Sequence, residues 1–249
     1  MSAVSKLRVF GMQSTVRIHD PVGIFTIHEK QKHFLGDEMH IGGFRYRYCY
    51  ATEAITVGQI CSHVMDADTI AAEKFPAAPV GAYSLSVTLA AQVAHEHANR
   101  ILCITAGTGA GYYYPIKDND ATVAAGTCKL YLWRPIAVAL SATDTVGVIV
   151  NDRWVTHVCD AADPVAQVPV CVAPFPVTST YYYWGLVEGL SPILADTAGI
   201  VAGQGVMPGE ANQGRGQVIA EGQEHTRPIG TALTTAAADA KALVDVHLF

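Results

Sequence analysis

The sequence predicts an all-β protein, built as a β-sandwich or as small β-barrel domains with an extended N-terminal arm. The clearest sign is strict alternation at the C-terminus, where Val244, Val246 and Leu248 face one side of Ala242–Phe249. A period of two is typical of a half-buried strand. Many other short apolar runs are separated by Gly- and Pro-containing turns, and helical periodicity is weak, which favours a sandwich or a barrel.

The strongest internal strand prediction is Ile41–Tyr50 (IGGFRYRYCY), because its aromatic and polar side chains alternate. One face carries Phe44, Tyr46, Tyr48 and Tyr50, and the other carries Arg45, Arg47 and Cys49. Thr56–Gln59 is predicted as a turn, and Ala90–Asn99 as a short helix. The further predicted strands are Val80–Leu89, Arg100–Ala106, Gly111–Ile116, Cys128–Ile136, Ile136–Asn151, Arg153–Cys159, Val168–Ala173, Tyr181–Val187, Gly199–Met207, Arg215–Ala220, Pro228–Leu233 and Ala242–Phe249.

The organisation predicted along the chain is an arm (1–40), a β domain (41–160) and a C-terminal part (161–249). That last part is either a second β domain or the second half of the same sandwich. The boundary falls at Asp160–Pro164, where Pro and small polar residues concentrate. The arm has short strand-like pieces at Leu7–Phe10, Thr15–His19 and Gly23–His28. Without tight-turn residues, it is expected either to lie on another surface or to form one sheet strand and a loop.

Composition excludes several classes of protein. Hydrophobic residues make up 50% of the 249 residues and charged residues 15%, so the chain is not intrinsically disordered. No apolar stretch approaches the roughly 18 residues of a membrane-spanning helix, and the N-terminus predicts no secretory signal. Residues 1–50 carry seven Lys or Arg and four acids, whereas the remainder has a net charge of −9. This weak basic excess does not predict nucleic-acid binding, but it indicates two surfaces with different roles, or an ordinary solvated segment.

Three short motifs suggest chemistry but are better explained as turns or loops. Gly107–Gly111 (GTGAG) follows a strand, yet Tyr112 replaces the third glycine of a dinucleotide fingerprint, so a hairpin turn is predicted. His95–Glu96–His97 lacks the i, i+4 spacing of a zinc helix and is expected in an exposed loop or edge. Lys117–Asp120 lacks the later Gly and Glu of a calcium loop and is predicted as a turn.

The six cysteines are far apart and form no zinc-ligand or thioredoxin-like pair. Cys103, Cys128 and Cys171 lie in apolar strands, where a free thiol acts as a small buried hydrophobe, although disulfides stay an alternative. No G-x-S-x-G turn or activated cysteine predicts nucleophilic catalysis. We therefore expect no enzyme activity, cofactor or metal, with a carboxylate-based polysaccharide hydrolase as the remaining enzymatic alternative.

Two aromatic clusters, Tyr112–Tyr114 and Tyr181–Trp184, have two explanations. They form a carbohydrate or base-stacking platform, or they divide between core packing on one sheet face and contacts between subunits. We favour the second explanation.

Two turn-and-strand patterns resemble tailed-phage capsid decoration (cement) proteins. They are I-G-x-A followed by A-x-V-x-V-x-L at Ile229–Leu248, and G-x-F-x-Y followed by A-x-x-x-G at Gly42–Gly58. The resemblance covers Ile41–Ser62 and Gly107–Phe249 loosely, and it is one of strands and turns. It implies β-tulip-like domains and a non-enzymatic, often trimeric, virion protein on the outside of an icosahedral head.

The resemblance also implies partners and a location. The partner is the major capsid protein, with self-association as a homotrimer and no nucleic acid or membrane, and the protein is assembled in the host cytoplasm. The alternative is a carbohydrate-binding or host-attachment module of a virion. The residues expected at capsid or subunit interfaces are Lys6, Arg8, Arg17, Lys30, Lys32, Arg45, Arg47, Tyr112, Tyr181 and Tyr182.

Overall fold

The computed structural model describes residues 23–64, 73–74, 77–89, 91–122, 126–142, 145–161, 167–221 and 227–248. Apart from a 3-10 turn at Gly23–Phe25, every regular element there is a strand, which confirms the all-β class. The strands are β1 (Glu38–Ile41), β2 (Phe44–Ala51), β3 (Ile60–His63), β4 (Glu73–Lys74), β5 (Ser84–Leu89), β6 (Arg100–Ala106), β7 (Tyr113–Asn119), β8 (Gly126–Leu132), β9 (Val146–Asn151), β10 (Val155–Val158), β11 (Pro169–Val172), β12 (Tyr182–Leu194), β13 (Gly205–Pro208), β14 (Gly216–Val218), β15 (Gly230–Ala232) and β16 (Lys241–His247).

The chain forms two compact units that differ from the predicted domains. The barrel unit joins Met1–Ser62 to Thr156–Phe249, and the meander unit is the continuous run His63–Val155. The predicted division at 160/161 thus falls inside the barrel unit. The physical reason is long-range pairing: β2 bonds to β12 and β3 to β11, so the residues on both sides of the inserted run share one sheet.

Five strands of the barrel unit form a closed ring, in the order β2, β10, β3, β11, β12 and back to β2. The closing contact is an antiparallel ladder in which Tyr50 lies opposite Tyr182 and Tyr48 opposite Trp184. A closed ring leaves no unpaired edge among its members and turns alternate side chains inward and outward. The alternation predicted for Phe44–Tyr50 is therefore used, whereas the start of the predicted strand Ile41–Tyr50 is wrong: Ile41 ends β1, and Gly42 and Gly43 form the turn between β1 and β2.

The C-terminal strand extends this sheet beyond the ring. The second half of β12 pairs with β16 from Glu188–His247 to Leu194–Lys241, and β15, β13 and β14 follow in order. In β16, Val244 and Val246 are fully buried while Leu243 is 36% exposed, so the predicted alternation is confirmed. At the junction Gly189 has φ +119°, and a Cβ there would lie 2.6 Å from the Phe44 ring. Glycine is required at this bend.

The meander unit is a six-stranded sheet in the order β4, β9, β6, β7, β8, β5. Its inward face forms an apolar core that includes Leu102, Ile116 and Leu130, all at most 1% exposed. The predicted GTGAG hairpin is confirmed: it joins β6 to β7, and Gly107, Gly109 and Gly111 all have positive φ.

Three local predictions in this unit are wrong. The predicted strand Ile136–Asn151 is a strand only from Val146 onward. The described part of the predicted helix Ala90–Asn99 consists of turns, with His95 and Asn99 both at φ 68°. A left-handed residue ends a helix. Lys117–Asn119 continues β7 instead of turning, because Asn119 is buried and holds the neighbouring loop through its side chain.

Candidate interaction surfaces

The inside of the barrel is lined by thiols and hydroxyls. Cys49 Sγ lies 3.9 Å from Cys171 Sγ, and Cys171 Sγ lies 3.3 Å from the Tyr183 hydroxyl, which is also 3.0 Å from Thr156 Oγ1. All four residues are fully buried. Burial raises the pKa of the Cys171 thiol and of the Tyr183 hydroxyl well above their usual ranges. These groups are therefore neutral and act as packing and hydrogen-bonding groups, since a reactive cysteine needs a thiolate.

The outside of the barrel carries an aromatic layer on β2 and β12. The Tyr48 ring stacks on Tyr182 at 5.8 Å and meets Trp184 edge-on at 5.0 Å. Tyr48 and Trp184 are nonetheless at most 1% exposed. Something must cover this outward face, and the covering segment comes from the predicted arm.

Residues 23–37, called here the N-terminal strap, lie over that layer. His28 exchanges two backbone hydrogen bonds with Tyr182, at 2.9 and 2.8 Å. The Gly36 N–H donates to the Tyr48 carbonyl at 2.9 Å, and the Tyr48 N–H donates to the Asp37 carbonyl at 3.0 Å. The His33 ring packs 5.0 Å from Tyr48 and 5.1 Å from Trp184. The described part of the arm is thus bound to the barrel, whereas Leu7–Phe10 and Thr15–His19 lie outside the described residues.

The strap has a distinct electrostatic environment. Burial lowers the pKa of both His28 and His33, and Lys32 and His33 lower that of His28 further. Burial raises the pKa of the Tyr48 hydroxyl to about 12. That hydroxyl accepts a hydrogen bond from the Lys32 N–H at 3.2 Å and lies 3.3 Å from His28 Nδ1. The strap is therefore held by neutral imidazoles against a neutral phenol.

Those basic residues predicted at an interface that the structure describes fall into two groups. Arg45 is paired with Glu188 at 3.1 Å, and Arg47 with Glu38. Arg47 also donates to the Gly36 carbonyl at 2.8 Å. Lys30 and Lys32 are exposed on the strap. Lys6, Arg8 and Arg17 lie outside the described residues.

Aromatic side chains on the outward face of the meander unit are exposed, whereas those on the outward face of the barrel are buried. Tyr112, Tyr113 and Trp133 are 44%, 58% and 38% exposed. The Lys117 ammonium lies 5.3 Å from the Trp133 ring centroid, so these two side chains share the outward face of β7 and β8. Tyr113 is on the same face, because it and Lys117 alternate with buried Tyr114 and Ile116. We call Tyr113, Lys117 and Trp133 the Tyr–Trp face; Tyr112, which precedes β7, is exposed beside it in sequence.

The histidine motif divides between surface and core. His95 is exposed and lies 2.7 Å from Asp118 Oδ1, as expected for a loop. His97 is only 1% exposed, so the predicted exposure is wrong for that residue. The backbone N–H of His97 donates to Asn119 Oδ1 at 2.7 Å, which holds the loop against the core. In the part of the chain that the structure describes, no three His, Cys, Asp or Glu side chains are grouped to hold a metal ion.

A serine–histidine pair appears that the sequence did not suggest. Ser62 Oγ lies 2.8 Å from His157 Nε2 and 2.8 Å from Gln167 Oε1. The three residues are distant in sequence, so no motif could have revealed them. Ser62 is fully buried, and a hydroxyl that donates to Gln167 has no proton left to give to His157. The pair joins β3 and β10 and is not positioned to attack a substrate.

The aromatic residues predicted at an interface differ in how deeply they are buried. Tyr182 is 9% exposed and belongs to the strap-covered layer, Tyr181 is half-buried, and Tyr112 is exposed just before β7. The sequence prediction missed Trp133, which the register of β7 and β8 brings beside Lys117.

The described residues contain no helix long and apolar enough to cross a membrane. No protein-family model, curated protein or solved structure matches the chain.

Proposed function

We propose that the protein is a structural virion component that decorates the outer surface of an icosahedral phage head and stabilises it. The proposal rests on the decoration-protein pattern at Gly42–Gly58 and Ile229–Leu248 together with one structural observation. That observation is the Tyr–Trp face, an exposed aromatic surface on paired strands. Tyr and Trp supply large contact areas at little conformational cost and are enriched at protein interfaces.

The Tyr–Trp face has the chemistry of a protein contact. Its rings come from β7 and from the residue after β8, two strands whose inward side chains are buried in the core of the meander unit. The backbone that carries the rings is therefore ordered before any partner binds, which lowers the entropic cost of association. Lys117 adds a cation that can pair with acidic groups of the major capsid protein.

Stabilisation of the head then follows from mass action. A protein that binds the assembled shell but not its dissociated subunits shifts the equilibrium toward the shell, without any chemistry. The exposed Lys30 and Lys32 of the strap supply a second, electrostatic contact in this proposal. Homotrimer formation would multiply both contacts on one head.

The test is binding of the purified protein to undecorated heads. The wild-type chain should sediment with the heads and raise their tolerance of heat or osmotic shock. Replacing both Tyr113 and Trp133 by Ala should weaken binding at least tenfold, because two interface aromatics of this size contribute about 2 kcal/mol or more. Leu233→Ala is the matched control, since Leu233 is a 49% exposed apolar residue of the other unit.

Two results would contradict the proposal. One is a wild-type protein that never associates with heads at micromolar concentration. The other is equal binding by the double variant and by Leu233→Ala, which would remove the Tyr–Trp face from the contact.

The alternative function, a carbohydrate-binding or host-attachment module, uses the same exposed rings. Aromatic faces stack on sugar rings, and Tyr113 and Trp133 are available for that purpose. This function would be favoured over the first if the wild-type protein were retained on specific glycans of an array and did not bind heads. The retention should be lost in Trp133→Ala.

A further inference from the structure

The two sheets formed by the described residues have four end strands, which differ in how they are protected against pairing with another chain. β1 carries Glu38 and His40, β14 has only three residues, and β4 consists of Glu73 and Lys74 alone. Short length and charge are the usual devices that prevent edge-to-edge association. β5 has neither device: it is six residues long, with the sequence SLSVTL, and contains no charge and no proline.

The open side of β5 can be identified residue by residue. β5 pairs with β8 so that Ser84 lies opposite Tyr131 and Leu89 opposite Gly126. The Leu132 N–H donates to the Tyr83 carbonyl at 2.8 Å in the same ladder. Antiparallel hydrogen bonding alternates along a strand, so Leu85, Val87 and Leu89 bond to β8. The backbone groups of the intervening Ser84, Ser86 and Thr88 point to the other side.

No described residue pairs with that other side. β5 is the last strand of its sheet, and no hydrogen bond outside the β5–β8 ladder involves 84–89 in the part of the chain described. Ser86 and Thr88 are also exposed as side chains. Among the residues that the structure describes, the N–H and C=O groups of this edge therefore have no backbone partner, and an edge of this kind is a template for pairing with another strand.

We propose that β5 is an interaction surface for a second copy of this chain, through antiparallel pairing of β5 with β5 about a two-fold axis. Such a contact joins two six-stranded sheets into one continuous sheet. This self-pairing does not depend on the proposed capsid binding and adds a second interaction to it.

The sequence of β5 is complementary to itself in the required geometry. With Ser86 on the axis, Ser84 lies opposite the partner's Thr88, and the free backbone groups of both strands pair with each other. Small hydroxyl side chains then meet on the exposed face, and like charges never lie opposite one another. An acidic or basic partner strand would find no opposite charge on β5, which favours the second copy as occupant.

The residue before β5 fits the same arrangement. Tyr83 is 60% exposed although it directly precedes a strand whose apolar residues are buried. In the two-fold arrangement Tyr83 lies opposite the partner's Leu89, at the end of the joined sheets. The second copy thus gives an apolar neighbour to a ring that one chain alone leaves in water.

The experiment compares the mass in solution of two variants at one position. Ser86→Pro removes an N–H that serves only the open edge, so the β5–β8 ladder is kept. Ser86→Ala keeps that N–H and is the matched control. By light scattering, the wild-type and Ser86→Ala proteins should have twice the mass of Ser86→Pro. The dissociation constant for self-pairing of Ser86→Pro should be at least tenfold higher than that of the wild type.

Hydrogen exchange supplies a second measurement that needs no variant. The amides of Ser84, Ser86 and Thr88 should exchange more slowly as protein concentration rises, while exchange of the amides of β4 and β14 stays unchanged. Equal masses for wild type and Ser86→Pro, or fast exchange at these three amides at every concentration, would overturn the proposal. Association of β5 with a strand of the capsid protein alone, with no self-pairing, would overturn it as well.

Discussion

The two units use the same kind of outward-facing aromatic residue in opposite ways. In the barrel unit Tyr48 and Trp184 project from the outside of the ring and are buried, because the N-terminal strap lies on them. In the meander unit Tyr113 and Trp133 project from the outside of the sheet and are exposed. Sheet face alone does not decide whether an aromatic residue stabilises the fold or is available to a partner. The segment that covers the face decides whether the aromatic residue is buried or exposed.

The units also differ in how they are assembled. The barrel unit joins residues from both ends of the described chain, whereas the meander unit is one continuous run with its own apolar core. The barrel unit therefore depends on contacts between distant segments, and loss of a single segment should affect it selectively.

The largest expected effect comes from a substitution in β16. Val246→Asp would place an unpaired carboxylate on the buried face of β16, which pairs with β12 and β15, at a cost of about 5 kcal/mol or more, enough to unfold a marginally stable unit. Hydrogen exchange should show that β2, β12 and β16 lose protection while β6 and β8 keep it. Leu243→Asp, on the exposed face of the same strand, is the control and should remain folded. Simultaneous loss of both units in Val246→Asp would contradict their independence.

The next effect compares the two tryptophans. Trp184→Ala should lower the free energy of unfolding by about 3–5 kcal/mol, because a fully buried ring leaves a cavity. Trp133→Ala should cost less than about 1 kcal/mol, since its ring is already partly solvated. Urea denaturation of the two variants measures the difference. Similar losses would mean that the exposure of Trp133 is not maintained in solution.

A smaller effect compares two buried tyrosine hydroxyls. Tyr183→Phe removes the hydroxyl that meets Thr156 and Cys171 inside the barrel and should cost about 1–2 kcal/mol. Tyr114→Phe in the meander unit removes one acceptor for the Ala137 N–H, at 3.3 Å. Because Ala137 is exposed, water can replace that acceptor, and the cost should be about 0.5 kcal/mol or less. Thermal denaturation distinguishes the two, and a reversed order would show that the polar barrel interior contributes little.

The smallest effect is a pH dependence restricted to the strap. The pKa values of His28 and His33 lie below the usual 6.5. The strap-bound state therefore binds protons less readily than the detached state. The contribution of the two histidines to the stability of the strap-bound state is complete above pH 6.5. It decreases as the pH falls from there toward the lowered pKa values. The charged or titratable groups that face the two rings are Lys32, Asp37, Tyr48, Tyr182 and the other histidine.

Trp184 fluorescence should report this release, because His33 packs on its ring. Its emission should shift to the red between pH 7 and pH 5, and proteolysis within 23–37 should become faster. His33→Phe keeps the ring contact without a titrating group and should reduce the shift. A spectrum that does not change over this range, with uniform proteolysis, would exclude an acid-sensitive strap.

Some elements of the fold could be predicted from the sequence and others could not. β2, β16 and the GTGAG hairpin were predicted because alternation and glycine spacing are local properties of the chain. The helix predicted at Ala90–Asn99 failed because Asn119, more than 20 residues away, fixes the backbone of that loop. The Ser62–His157 pair and the thiol cluster could not be predicted, since their members meet only across a closed barrel.

Alternation along each strand determined which side chains share a face, and this follows from the chain itself because successive residues of a strand point to opposite sides. The same pattern established the all-β class and the strand β16. Tertiary structure alone decided which faces are covered, which strand edges are free and which tyrosines are buried. Those properties depend on the partner that each face or edge finds, and partners are brought together by pairings such as β2 with β12, which join residues more than 130 positions apart.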